Sequence, residues 1–135
     1  MHDEGIQTAV ATIGNDVYKT ELVARSHVVV ADEPLDVGGK DLGPRPGDFI
    51  RMGLASCTAI TLRMYANRKK WDVQQIRVQV SNGPFEGKTS YKTEIEITGN
   101  IDEEQRTRLL QIAKLCPVHK VLTNPIEIDT SLSIA

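Results

Sequence analysis

Three absences narrow the classes to which this sequence can belong. It contains only two cysteines in 135 residues, too few and too far apart for a disulfide-rich scaffold or a zinc ribbon. The net charge is −2, with acidic and basic residues mixed along the chain, which disfavours nucleic acid and anionic membranes as partners. No apolar run follows a basic start or reaches the roughly 20 residues that cross a bilayer. We therefore expect a cytoplasmic protein.

The composition is that of an ordinary globular domain. Hydrophobic residues make up 40% of the chain and charged residues 25%, which is enough apolar material for a packed core. By length we expect residues 1–135 to form a single domain.

The sequence is organised around one apolar helix, predicted from Gly43 to Lys70. The Pro44-Arg45-Pro46 segment suits a helix start, and the basic residues 68–70 suit its end. Between Met52 and Leu62 the only polar side chains are those of one serine and two threonines, so this stretch has no charged face. A helix that is apolar all round is normally buried.

Alternating and turn-forming patterns predict the other elements. Each segment with period-two alternation is interpreted as a strand, and residues 38–44 as a loop that lines a site. Asp102 with Gln105 resembles a capping box that starts a second helix, and Pro117 begins a short third one. The predicted strands are residues 6–13, 17–24, 27–33, 73–80, 91–98 and 126–134.

This order predicts an α+β fold with antiparallel sheets around the central helix, since the strands come in runs rather than alternating with helices. A chain of this length has little material with which to surround an apolar helix and also cover a second one. We therefore expect an obligate homodimer, with Ile50, Leu54, Ile60 and Leu62 between the sheets of two chains.

The two cysteines are the candidates for chemistry. Cys57 lies at the middle of the apolar helix, where a free cysteine is often only a small core residue. Gly53, one turn earlier, leaves room beside the sulfur, and Thr61, one turn later, offers a hydroxyl. Cys116 directly precedes Pro117 and is placed to cap the third helix, near His119. Two such thiols suit thiol–disulfide chemistry, although the sequence alone does not bring them together.

Two separated motifs carry a resemblance to a known family. The first runs from Asp32-Glu33-Pro34 through Gly38-Gly39 and residues 43–46 to the segment 53–59 around Cys57. The second is residues 116–122, CPVHKVL. Together they resemble the OsmC/Ohr family over almost the whole chain. The resemblance implies an intertwined homodimer of α+β fold that reduces organic hydroperoxides without a metal or bound cofactor. It also implies Cys57 as the peroxidatic thiolate and Cys116 as the resolving thiol, with a dithiol such as a lipoyl group reducing their disulfide.

One position departs from the family pattern. Well-characterised branches have a glutamate ten residues before the first cysteine, which positions an activating arginine, whereas this sequence has Gly47. The nearest carboxylate is that of Asp48, and an ideal helix would place it about 13 Å along the axis from Cys57 and on the opposite face.

Supporting residues are therefore sought elsewhere. The arginine candidates are Arg25 and Arg45, with Asp48, His27 and His119 as further supporting residues.

Three hypotheses remain open from the sequence. The first is a thiol peroxidase that uses Cys57. The second is a dimeric protein that binds a small ligand in the same cleft, with both thiols as lining. The third is a metal or persulfide site from Cys57, Cys116 and His119, although a structural zinc would need four ligands.

Overall fold

The computed structural model describes residues 5–85 and 87–134, and its contacts divide the chain into two compact units. One unit extends to Ile50 and the other begins at Arg51. The expected single domain over residues 1–135 stays a prediction, and residues 1–4, 86 and 135 of that range lie outside the described part. The strands are β1 (Ala9–Thr12), β2 (Thr20–Ala24), β3 (His27–Ala31), β4 (Asp72–Phe85) and β5 (Lys88–Asn100), and the helices are α1 (Pro46–Lys69), α2 (Glu103–Ala113) and α3 (Pro117–Thr123).

The first unit is built on an antiparallel meander, as the alternation predicts. Strand β2 pairs with β1 on one side and with β3 on the other. Ala24 is opposite His27, so Arg25 and Ser26 form a two-residue hairpin turn in which Arg25 has a φ of 55°. Such turns require a positive φ, which is usually supplied by Gly or Asn.

Asp32 organises the loop that follows β3. Its carboxylate is 2% exposed and accepts hydrogen bonds from the backbone N–H groups of Tyr18 (3.0 Å), Glu33 (2.7 Å) and Leu42 (3.1 Å). Burial tends to raise the pKa of this carboxyl, but the backbone hydrogen bonds outweigh that effect and leave the pKa lowered. One side chain thus joins the start of β2 to both ends of the loop.

Two glycines let this loop approach its neighbours closely. A Cβ on Gly39 would lie 2.0 Å from the carbonyl oxygen of Glu33, and one on Gly43 would lie 2.1 Å from that of Val30. Both neighbours are backbone atoms, so no side-chain rotation could relieve the overlap. The loop contains a 3₁₀ turn, Leu35–Val37, and borders a cavity of about 460 Å³ within the first unit.

The second unit contains the β4–β5 hairpin and the hydrophobic core. The hairpin pairs Asp72 with Asn100 and continues to Phe85 opposite Lys88, which is longer at both ends than the predicted strands. Its inward residues pack on α1 and α2, because both helices present an apolar stripe at helical spacing. The buried core residues are Leu62, Tyr65, Ala66, Val73, Leu109, Ile112 and Ala113.

Helix α1 is buried along one side only within a single chain. Its buried residues are Leu54, Thr58, Leu62, Tyr65 and Ala66. By contrast, Ile50, Met52, Ile60 and Met64 are 44–53% exposed. Four residues of α1 were expected to lie between the sheets of two chains. Leu54 and Leu62 are already buried within one chain, whereas Ile50 and Ile60 are exposed. Among the described residues no helix has the length and apolarity to cross a membrane.

The predicted last strand is wrong for this chain. After α3, residues 125–134 belong to neither of the two sheets and form no helix. Their alternating apolar side chains are open to solvent, with Ile128, Leu132 and Ile134 86–93% exposed. Alternation marks a segment that could be half-buried in a sheet, but a strand also needs a neighbouring backbone to accept its hydrogen bonds.

Candidate thiol site

The two cysteines lie together in the second unit, where the middle of α1 meets the start of α3. Cys57 is half-buried and Cys116 is fully buried, and both are free thiols. Their side chains lie near enough to influence each other, since the Cys116 side chain is among the causes that raise the pKa of Cys57. The fold thus joins residues that are 59 positions apart in the sequence.

Cys116 caps α3, as its place before Pro117 predicts. Its backbone is extended, and its sulfur accepts a hydrogen bond from the backbone N–H of His119 at 3.3 Å. Pro117 occupies the first helical position, where its missing N–H costs nothing. The Cys116 Sγ also lies 3.7 Å from the hydroxyl oxygen of Thr58, which is buried on α1.

Neighbouring groups shift the pKa of the Cys57 thiol in opposite directions. Burial is the largest cause that raises the pKa of this thiol, and the neighbouring Cys116 raises it further. The backbone of Val118 and the hydroxyl of Thr61 form hydrogen bonds that lower it, and the net direction is upward. Among the described residues, no arginine or lysine is one of the five largest causes of the pKa shift of Cys57.

Open space lies beside Gly53, one turn before Cys57 on α1, where an added side-chain atom would meet nothing within 4 Å. A cavity of about 260 Å³ also lies in this unit, with His119 and Leu54 in its wall. Its other lining residues are Thr89, Ser90, Tyr91, Thr93, Leu122 and Thr123.

The other predicted supporting residues lie in the first unit and contact one another. At the β2–β3 turn, Arg25 Nη2 lies 3.0 Å from His27 Nε2. At the start of α1, Asp48 Oδ2 accepts a hydrogen bond from the Arg45 backbone N–H at 2.9 Å, and Arg45 Nη2 lies 3.6 Å from Asp48 Oδ1. Asp48 therefore caps the first turn of α1. A role in catalysis for these four residues stays a prediction.

Sequence reasoning missed two contacts of the thiols, from Thr58 and from the Val118 backbone. Thr58 was one of only three polar residues in the apolar stretch of α1, and that was the signal available. Which hydroxyl meets a sulfur depends on how α1 is rotated against α3, which no local pattern encodes. No three His, Cys, Asp or Glu side chains of residues 5–85 and 87–134 gather as they would around a metal ion.

Comparison with known proteins extends this description. The family model described as OsmC-like protein matches residues 38–131, more than half of the chain. No curated protein sequence matches this chain.

Several solved structures share the fold. An OsmC like protein from Mycoplasma pneumoniae is 19% identical, with a TM-score of 0.71 over 89% of each chain. An organic hydroperoxide resistance protein from Elizabethkingia anophelis is 20% identical, with a TM-score of 0.65 over 94% of each chain. The organic hydroperoxide resistance protein OhrB of Bacillus subtilis is 18% identical, with a TM-score of 0.57 over 88% of this chain and 91% of that one.

These structures confirm the predicted α+β fold with antiparallel sheets. With the match of the family model across both cysteine segments, they lead to one assignment: the chain belongs to the OsmC/Ohr family.

Proposed function

We propose that this protein is a thiol peroxidase that reduces organic hydroperoxides, with Cys57 as the attacking residue and Cys116 as the resolving residue. The observation that carries the proposal is the proximity of a half-buried thiol, one turn from the open space beside Gly53, to a fully buried thiol. A peroxide can reach the first sulfur, and only a neighbouring group can reach the second. Relatives of the same fold are named organic hydroperoxide resistance proteins, which favours this substrate class.

The proposed reaction has three balanced steps. The Cys57 thiolate attacks the outer peroxide oxygen, the O–O bond breaks, and the alkoxide takes a proton to leave as an alcohol, with a sulfenic acid on Cys57. The Cys116 thiol then attacks that sulfur, and water leaves as the disulfide forms. A dithiol such as a dihydrolipoyl group supplies two electrons and two protons by exchange and restores both thiols. The chemistry calls for no metal or bound cofactor.

The thiolate needs support that the described contacts of Cys57 supply only in part. Arg25 is our first candidate for the activating guanidinium and Arg45 the second, with Asp48, His27 and His119 as possible supporting residues. A guanidinium near a thiolate commonly lowers such a pKa by about 1–3 units. Titrating Cys57 with a thiol reagent in Arg25→Ala and Arg45→Ala, on a Cys116→Ser background, tests both. A pKa unchanged in both variants would exclude this role for them.

Intact mass after one equivalent of an organic hydroperoxide tests the function directly. We expect the protein to lose two hydrogen atoms and to give a Cys57–Cys116 crosslinked peptide on digestion. Cys57→Ser should consume no peroxide, whereas Cys116→Ser should reduce one equivalent and hold a sulfenic acid. Equal loss of this first turnover in both variants would contradict the assigned roles.

We also propose that the protein works as a homodimer. The exposed apolar side chains along α1 and in residues 125–134 are the supporting observation, because exposed apolar surface of this extent commonly marks an interaction site. A second chain would also give residues 125–134 a backbone with which to pair.

A second candidate function is the binding of a small ligand without peroxidase activity. The cavity beside His119 favours it, since it combines apolar walls from Leu54 and Leu122 with several hydroxyl groups. Small-molecule sites typically combine apolar walls with polar groups that orient the ligand, and this cavity offers both. An unchanged mass after peroxide treatment would favour this alternative over the peroxidase.

A further inference from the structure

We propose that Thr58 is a positioning residue for disulfide formation, and that its hydroxyl oxygen holds the S–H hydrogen of Cys116 away from Cys57. The inference rests on the proposed use of Cys116 as the resolving thiol. Thr58 lies within the motif segment 53–59, but the family resemblance assigns it no role.

The direction of the hydrogen bond follows from counting hydrogens. Thr58 Oγ1 donates its one hydrogen to the carbonyl oxygen of Leu54 at 2.8 Å, a short and well-formed bond. It therefore presents only lone pairs to the Cys116 sulfur, 3.7 Å away. The hydrogen between these two atoms must come from sulfur, so the Cys116 S–H is the donor.

The other contacts of Cys116 determine which groups face its S–H hydrogen and its lone pairs. One lone pair of Sγ accepts the His119 N–H at 3.3 Å, and the S–H is directed at Thr58. A second lone pair is then left to face Cys57. An oxygen is also a better acceptor than a thioether or thiol sulfur, which favours Thr58 over Cys57 as the acceptor.

This orientation suits the step in which the disulfide forms. As Cys116 attacks the Cys57 sulfenic acid, the new S–S bond forms along the free lone pair and the S–O bond breaks. The S–H hydrogen is released as a proton and leaves with the hydroxyl group as water. Without the Thr58 oxygen, the S–H could turn toward Cys57 and occupy the line of attack.

The test does not depend on peroxide. One equivalent of an aromatic disulfide that releases a coloured thiolate converts Cys57 to a mixed disulfide. Attack by Cys116 then forms the Cys57–Cys116 disulfide and releases a second coloured thiolate, with the thiol proton passing to solvent. We expect Thr58→Val to slow this second release about five- to tenfold, the effect of losing one hydrogen bond. Thr58→Ser should restore it.

Thr107→Val is the matched control, because Thr107 makes the same bond to a carbonyl four residues earlier, that of Glu103, away from both sulfurs. It should leave the second release unchanged. A rate for Thr58→Val within twofold of the unmodified protein would overturn the proposal, and so would a Thr58→Ser rate as low as that of Thr58→Val. The absence of a second release from the unmodified protein would overturn it as well.

Infrared spectroscopy gives a second, direct readout. In Cys57→Ala the single remaining S–H stretching band belongs to Cys116, and adding Thr58→Val should move it to higher frequency as the acceptor is lost. An unmoved band would contradict the inferred hydrogen bond. If these results hold but peroxide is not reduced, the role of Thr58 stands while the proposed peroxidase function fails.

Discussion

At the scale of single residues, the proposed chemistry depends on a thiol whose surroundings disfavour its ionised form. Burial raises the pKa of Cys57 and the Cys116 side chain adds to that effect, while hydrogen bonds from Val118 and Thr61 partly offset it. The thiolate is the nucleophile, so the rate of reaction with any electrophile should rise with pH until the raised pKa is passed.

The first prediction concerns Thr61. Thr61→Val removes a hydrogen bond that lowers the pKa of Cys57, so the pKa should rise further and the alkylation rate near neutral pH should fall severalfold. Rates measured against pH in a Cys116→Ser background report on Cys57 alone. Thr61→Ser, which keeps the hydroxyl, should behave like the parent. A profile unchanged in Thr61→Val would show that this hydroxyl does not support the thiolate.

The second prediction concerns Asp32, whose pKa is lowered in the folded protein. Such a group contributes stability above its unfolded pKa of about 3.8, and the contribution is lost as pH falls through the lower folded value. Asp32→Asn should lower the free energy of unfolding at neutral pH, because an amide presents one acceptor oxygen where the backbone offers donors to two.

Urea unfolding at several pH values tests this prediction. The difference between the parent and Asp32→Asn should shrink toward the acid end. A difference that is constant with pH would argue against a role for the charge.

The residue scale also shows where sequence reasoning ends. The cap by Cys116 follows from its place before Pro117, and the structure shows it. The proximity of the two thiols could not be derived, because no local pattern relates positions 59 apart. The contacts of Arg25 and Arg45 could not be predicted either, because the contacts of a long flexible side chain depend on the positions of the surrounding backbone segments.

At the scale of elements, periodicity and caps located most of the fold. The three-stranded meander, the long helix, the hairpin and α2 all lie where alternation and turn residues predict, with the ends shifted by a few residues. The last strand was wrong because a period of two describes the side chains of a segment and says nothing about whether another strand is present to pair with it.

The third prediction concerns the start of α2. The Asp102 side chain accepts the Gln105 N–H at 2.8 Å, and the Gln105 side chain accepts the Asp102 N–H at 2.9 Å. Asp102→Ala should therefore lower the free energy of unfolding by about 1 kcal/mol, measured in urea. Asp129→Ala makes the same substitution outside any helix or strand and should have little effect. Equal losses of unfolding free energy in both variants would indicate an effect of the removed negative charge rather than of the helix cap.

At the scale of the whole molecule, the proposed dimer rests on the side of α1 that a single chain leaves exposed. A charge at Leu54 would disrupt the protein in any assembly, because the chain itself leaves this residue only 4% exposed. Ile60 is 51% exposed within the chain, so a charge there is costly only if a second chain buries it.

The fourth prediction follows from that contrast. If the proposed dimer exists, Ile60→Glu should dissociate it or abolish soluble protein, whereas Leu110→Glu, at a residue 56% exposed on α2, serves as the matched control and should be tolerated. Light scattering after gel filtration gives the mass of each variant. A parent protein that is a folded monomer at low micromolar concentration would exclude an obligate dimer.

The close contacts of Gly39 and Gly43 have a consequence for how this loop can vary. Eight of the eleven positions from residue 33 to 43 carry a side chain, but at Gly39 and Gly43 a Cβ would lie 2.0 and 2.1 Å from a carbonyl oxygen, where ordinary contact begins at 3.4 Å. Any library that randomises the loop should therefore return glycine at both positions among its folded members. The substitutions that the loop accepts are limited there by the path of the backbone, whatever ligand or reaction is selected for.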